Sequence, residues 1–296
     1  MMNSVKPNLY LIKGGIGKCV VFTAMIDKLV EETGRKIAVG SGFPVVFGFH
    51  PKVAGTLRSI TQEAITPVAD KFEDIVMREP YISNYCKGDR HILDEWARLY
   101  DLKPFEQGGF HARPDLVLNA ETIKVANQLR DKIKKPYFIV QWTGGQPPNN
   151  FKNQKKYPDN YLTQARNVRN YKEIMLALGE AYPEHLFLLY ALPNEPVEMP
   201  AELRGRVARA QAPALAYAEL LKHADGFVGL DSSLQHFGAA RQIDKKGVVL
   251  WGQKTTPDKI GYSFHANLNS TASGEVTVPP AAVVDALMKI TPRGNR

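Results

Sequence analysis

The sequence predicts an α/β protein built from two doubly wound domains, and three observations carry that expectation. Short apolar runs alternate with longer mixed segments along the whole chain: Leu9 to Ile12, Lys36 to Val39, Tyr137 to Trp142, Leu186 to Tyr190, Gly226 to Leu230 and Val248 to Gly252. Runs of that length, bounded by Gly and Pro clusters and separated by helical patterns, read as buried parallel strands joined by crossover helices. The series also stops at Lys134-Lys135-Pro136 and then begins again. Finally, 296 residues suit two domains of ordinary size. We therefore expect domains at 1–135 and 136–296 facing a central cleft, where small ligands usually bind.

Each element has a local reason. Leu9 to Ile12 leads into the Gly-rich loop Lys13 to Lys18 and a helix over Val20 to Thr33, which Gly34 stops. A strand at Lys36 to Val39 precedes the loop Gly40 to Pro44, and Val45 to His50 leads to another short element. Ala69 to Glu79 holds a weaker strand, and helices follow at His91 to Leu102 and Ala120 to Ile133. In the second half, Tyr137 to Trp142 is a strand, Thr143 to Asn150 a loop, Asn170 to Ala181 a helix and Leu186 to Tyr190 a strand. The loop Ala191 to Pro200 carries Glu195, and Pro213 opens a helix to His223, where a first-turn proline is tolerated. Ala281 to Ile290 is a last amphipathic helix.

Composition sets the class. Hydrophobic content of 44% and charged content of 23% are those of a globular protein. No apolar run is long enough to cross a bilayer, and Met1 to Lys6 has no secretory apolar core. Cys19 and Cys86 cannot form a disulfide framework, and no Cys/His cluster has zinc spacing. The expectation is a cytoplasmic monomer with no metal and no resident cofactor. A net charge of +8 favours an anionic partner: nucleotide, nucleic acid, lipid headgroup or acidic glycan.

The most informative segment is Asp231-Ser232-Ser233-Leu234-Gln235-His236-Phe237-Gly238-Ala239-Ala240. It follows one buried strand and precedes another. In open α/β sheets ligands lie at the carboxyl ends of strands, so Asp231, Ser232, Ser233 and His236 fall at a binding edge. Two hydroxyls beside a helix start suit a phosphate. A helix cap would need one polar residue, and this loop supplies several.

The N-terminal loop Lys13-Gly14-Gly15-Ile16-Gly17-Lys18-Cys19 reads two ways. Between a strand and a helix it resembles the P-loop of ParA/MinD-type ATPases. That mechanism requires a Ser or Thr hydroxyl on Mg²⁺ after the lysine, where Cys19 stands.

The second reading covers both halves. Gly17-Lys18, four residues, then Thr23-Ala24 is in register with the Gly-Asp, four residues, Thr-Pro signature of heptosyltransferase-like glycosyltransferases of family 9. Residues 231–239 look like that family's Asp-Ser/Thr-Gly/Ser-x-x-His-x-Ala-Ala motif. Val248 to Gly252 is similar to its strand ending in Phe-Gly, and Trp142-Thr143-Gly144-Gly145 with Lys155 to Pro158 resembles its Gly loop and Lys-x-Trp-Pro region. The resemblance implies a GT-B fold of two Rossmann-like domains: a nucleotide-sugar donor on the C-terminal domain, an acceptor on the N-terminal one, and metal-free inversion. It places Thr143, Gly144, Lys156, Glu195, Asp231, Ser232, Ser233 and His236 at the donor, and Gly15, Gly17 and Lys18 at the acceptor. Glu195 is suited to ribose hydroxyls, and a His236 imidazolium to the diphosphate.

Lys18 departs from the family pattern, which has the general-base Asp there. Either another carboxylate, such as Asp89, Asp94 or Glu106, takes the proton, or Lys18 binds a phosphate, or the protein is inactive; the expected catalytic set is Lys18, Asp89 and His236. The acceptor implied is lipopolysaccharide core-type glycolipid, made in a bacterial cytoplasm. The charge fits equally a hydroxymethylated DNA base, the acceptor of phage-type GT-B enzymes.

Overall fold

The computed structural model describes residues 6–82, 90–144, 167–191, 195, 197–252, 255–272 and 276–291. The chain forms two compact units, and every strand pairing among the described residues is parallel.

The first unit takes residues 1–119 with 240–242 and 258–260. Its elements are β1 (Leu9–Ile12), α1 (Ile16–Phe22), α2 (Ile26–Thr33), β2 (Ile37–Ser41), β3 (Val53–Leu57), α3 (Gln62–Ile65), β4 (Ile75–Val76) and α4 (Ile92–Leu99). The strands lie in the order β3-β2-β1-β4. β1 is buried along its whole length, so it reads as an unbroken apolar run. The single helix expected over 20–33 is two helices joined by a 3₁₀ turn at Thr23–Met25. Thr23 explains the break. Its hydroxyl donates to the Val20 carbonyl at 2.6 Å and accepts from the Asp115 amide at 2.8 Å, a side-chain to backbone bond that bends helices. Gly34 ends α2 as expected, in the left-handed region at φ 66°.

The second unit holds α5 (Ala120–Arg130), β5 (Tyr137–Val140), α6 (Tyr171–Ala181), β6 (Leu186–Leu189), β7 (Val207–Arg209), α7 (Ala214–His223), β8 (Gly226–Leu230), α8 (Ser233–Ala239), β9 (Gly247–Trp251), β10 (Ala266–Asn269) and α10 (Pro280–Ile290). A short helix, α9 (Pro257–Ile260), gives most of its residues to the first unit. The sheet order is β10-β9-β8-β5-β6-β7. β8 and β9 are buried throughout. The sheet's core joins Phe138, Val140, Leu189, Val228 and Leu250 to Ile174, Leu178, Val283 and Leu287 on α6 and α10. Each such buried side chain contributes about 1.5–3 kcal/mol. α5 packs on α7, so the first compact unit ends at 119 rather than at the 135/136 break read from the sequence. Pro136 interrupts the chain inside the second unit, between α5 and β5.

Candidate functional site

The topology of the second sheet marks one position. From β5 the chain goes outward to β6 and β7 on one side, and β8, β9 and β10 fill the other. The order therefore reverses between β5 and β8, and ligands of open parallel sheets bind beyond the carboxyl ends of the strands at such a reversal. Gln141 to Gly144 follow β5 there, and Asp231 to Ser233 follow β8.

Hydrogen bonds tie these segments together. Gln141 Nε2 donates to the Thr143 carbonyl and to Ser232 Oγ, both at 3.1 Å. Ser233 Oγ shares a bond of 3.0 Å with the Tyr190 hydroxyl, which burial pushes up to about 12 and so keeps protonated. Asp231 accepts from Gln235 Nε2 at 3.0 Å and from Thr255 Oγ1 at 2.8 Å. Its carboxylate thus holds both the first turn of α8 and the loop after β9. The Gly144 amide donates to Asn167 at 3.1 Å. His236 is only 2% exposed, and its Nδ1 lies 3.0 Å from the Tyr262 hydroxyl. Complete burial raises the Tyr262 phenol well above its ordinary range, so it keeps its proton where it meets the His236 ring. α8 is seven residues long, so the hydroxyls and amides around it carry more of the site's chemistry than its dipole does.

Glu195 is 4% exposed, buried rather than displayed on a loop. It borders a cavity of about 660 Å³ beside β7, lined also by Leu189 at the end of β6, Glu198, Arg204, Val207 and Arg209. Arg209 donates to the Glu195 carbonyl at 2.9 Å, fixing the backbone that presents the carboxylate. Lys156 lies outside the described residues, as does Asp89.

The first sheet reverses in the same way. β2 and β3 lie to one side of β1 and β4 to the other. After β1, Gly14 takes φ 127°, a conformation open to glycine, and a Cβ there would press on the Lys18 side chain. Gly15 is the N-cap of α1 and Gly17 lies in its first turn. Lys18, only 7% exposed, forms an ion pair with Glu79, beyond the end of β4, and its Nζ sits 4.2 Å from the Tyr81 ring centroid and 5.6 Å from that of Trp96. Burial lowers the Lys18 pKa, and the Glu79 carboxylate works against that shift.

Cys19 corrects the ATPase alternative. Its side chain is fully buried, and burial pushes the thiol up to about 12. A neutral thiol sealed in the core cannot reach a nucleotide-bound Mg²⁺, and Lys18 is already paired with a carboxylate. Of the other carboxylates considered, Asp94 accepts the Gly109 amide at 2.8 Å, a structural bond, and Glu106 is exposed.

Sequence reading missed Glu79, Gln141, Tyr190, Arg209, Thr255 and Tyr262. Gln141 and Tyr190 carried a faint signal, each being a polar atom at the carboxyl end of an apolar run. The others come together only through folding. It also missed a charged group in the first unit, Asp27, His50 and Asp115, whose ligand atoms lie within 4.8 Å of one another. Lys52 sits 2.7 Å and Arg241 3.5 Å from Asp27, and His50 Nε2 is 3.2 Å from Asp115, so resident cations neutralise the group.

Two parallel, helix-covered sheets define the fold class as GT-B, with two Rossmann-like domains. No protein-family model and no curated protein sequence matches the chain. Solved structures do. A family 9 glycosyl transferase from Veillonella parvula DSM 2008 aligns with a TM-score of 0.68 at 10% identity, covering 99% of both chains. The ADP-heptose LPS heptosyltransferase II of E. coli aligns at 0.65 and 15% identity, over 96% of this chain and 98% of that one. E. coli heptosyltransferase WaaC with ADP aligns at 0.58 and 13%, over 96% and 99%. The chain thus has the fold of heptosyltransferase-like glycosyltransferases, in a far diverged sequence. No helix among the described residues is long and apolar enough to cross a membrane.

Proposed function

We propose that the protein is a glycosyltransferase that moves a sugar from a nucleotide-sugar donor to a hydroxyl of an anionic acceptor, with inversion and without a metal. The observation that carries this reading is the β5/β8 reversal, where Gln141 bonds both the Thr143 carbonyl and Ser232, with Gly144 next to the first and Asp231 and Ser233 next to the second. Departure of a nucleoside diphosphate needs donors aimed at the developing charge. Ser232, Ser233 and the Gly144 loop provide hydroxyls and amides for it, and Lys156 and His236 are the side chains proposed to meet the diphosphate. Glu195 in its cavity is suited to ribose hydroxyls. Asp231 shapes the site through Gln235 and Thr255. Gly15, Gly17 and Lys18 belong to the acceptor side on the first unit. One of the similar structures is an ADP-heptose lipopolysaccharide heptosyltransferase, which favours a lipopolysaccharide core-type glycan as acceptor. Hydroxymethylated duplex DNA is the second acceptor to assay, because the +8 charge serves it equally.

The test is a thermal-shift screen of UDP-, ADP-, GDP- and CMP-sugars in EDTA, followed by transfer to both acceptors. A matching donor at ~100 times its dissociation constant should add about 2.7 kcal/mol of stability. Ser232→Ala and Asp231→Ala should fold and lose most of that shift. No shift with any nucleotide sugar would overturn the donor site. A shift with no transfer would point to a binding protein that kept the fold.

A further inference from the structure

We propose that Glu79 is the general base that takes the proton from the acceptor hydroxyl, with Lys18 as the residue that positions it. The proposal rests on the glycosyltransferase reading above and deepens it. Glu79 lies just past the end of β4 and Lys18 in α1, the helix that follows β1, and these two parallel strands are neighbours. They flank the reversal of strand order in the first sheet, where an open α/β sheet binds its ligand. The position is thus assigned by topology before any side chain is considered.

The carboxylate is set asymmetrically. Oε1 accepts from Lys18 Nζ and from the Tyr81 amide, the latter at 3.2 Å. No bond among the described residues falls on Oε2. A carboxylate anchored through one oxygen holds the fixed direction a proton acceptor needs, and the Glu79 side chain keeps 10% of its surface exposed. The other acidic groups of this unit that are half-buried or deeper are engaged differently. Asp27 holds Lys52, Asp115 holds His50 and Gln242, Glu95 holds Arg98, and Asp94 holds the Gly109 amide.

The step balances. The acceptor oxygen forms its bond to the anomeric carbon as the bond from that carbon to the diphosphate breaks. The electron pair leaves with the diphosphate, and the hydroxyl proton passes to Glu79 Oε2 and then to solvent. Lys18 neither gives nor takes a proton in the step. The other titratable groups facing the pair are Lys13 and Cys19 beside Lys18, Tyr81, and Tyr100 with Arg78. Burial keeps Cys19 and Tyr100 protonated, so neither adds a charge beside the pair.

The experiment follows transfer from the donor identified in the screen to lipopolysaccharide core glycan and to hydroxymethylated DNA, together with donor hydrolysis by water. Glu79→Gln should lower kcat by about 10²- to 10⁴-fold while nucleotide-sugar binding is unchanged. Lys18→Met should keep measurable transfer, its loss falling on kcat rather than on the acceptor KM, because Glu79 is no longer held in direction. Should Glu79→Gln fail to melt cooperatively, the double variant K18M/E79Q removes both charges and must be slower than Lys18→Met by a similar factor. A folded Glu79→Gln protein, or the double variant, that transfers as fast as its reference would overturn the base assignment and leave the glycosyltransferase reading standing. Wild-type protein that neither binds nor turns over any nucleotide sugar would remove that reading, and this one with it.

Discussion

Lys18 shows how a residue's meaning depends on what folding sets beside it. In the sequence it stands where the family pattern has its general-base Asp, and in the fold a glutamate 61 residues away meets it. Asp27 is a second case, and its charge can be tested. Burial would raise its carboxyl, but the Lys52 hydrogen bond and charge, with Arg241 and His50, outweigh burial and hold it below the ordinary range. A depressed carboxyl contributes stability above its unfolded pKa of about 4 and loses that contribution as the pH falls through the lower folded value. Asp27→Asn should therefore cost most near neutral pH, and its cost should shrink as the pH drops below about 4. Melting curves across pH check this, and a cost that does not vary with pH would count against it.

At the scale of elements, α8 joins the site to the sheet. Its motif carries Gly238, where an added Cβ would lie 2.5 Å from the Phe227 ring and 2.9 Å from the Lys245 carbonyl. Phe227 is fully buried in β8 and the carbonyl is backbone, so neither yields easily. Gly238 is thus a packing residue that lets α8 lie close on β8, which in turn sets where Ser232 and Ser233 fall. Gly238→Ala should cost about 1–3 kcal/mol by overpacking. Its Tm should fall and its donor affinity weaken together. A variant with wild-type Tm would show that the helix can shift without strain.

For the whole molecule, the +8 charge and the two reversals of strand order matter most. Charge of this size steers anionic partners in general, and salt screens such steering within a Debye length of ~10 Å at 0.1 M. The KM for a phosphate-bearing acceptor should rise between about 0.05 and 0.5 M salt, while kcat holds. An acceptor KM indifferent to salt would argue that the charge serves something else.

The sequence by itself determined the buried interior of both sheets. β1, β5, β6, β8 and β9 are apolar on both faces, and that leaves an unbroken run that local reading detects. It also located Asp231 to His236 at a strand end, because a polar cluster directly after such a run falls at the carboxyl edge of the sheet. The edge strands β3, β7 and β10 were not legible. Half-exposed on one side and short, they carry mixed residues such as Val53-Ala54-Gly55-Thr56-Leu57 and Ala266-Asn267-Leu268-Asn269. Only the tertiary structure decided which partners complete the sites: Gln141 with Ser232, Tyr190 with Ser233, Tyr262 with His236, and Glu79 with Lys18. Their separations of 26 to 91 residues leave no trace in any local pattern. Parallel pairing brings the strand ends together, and burial then selects which polar atoms must find each other.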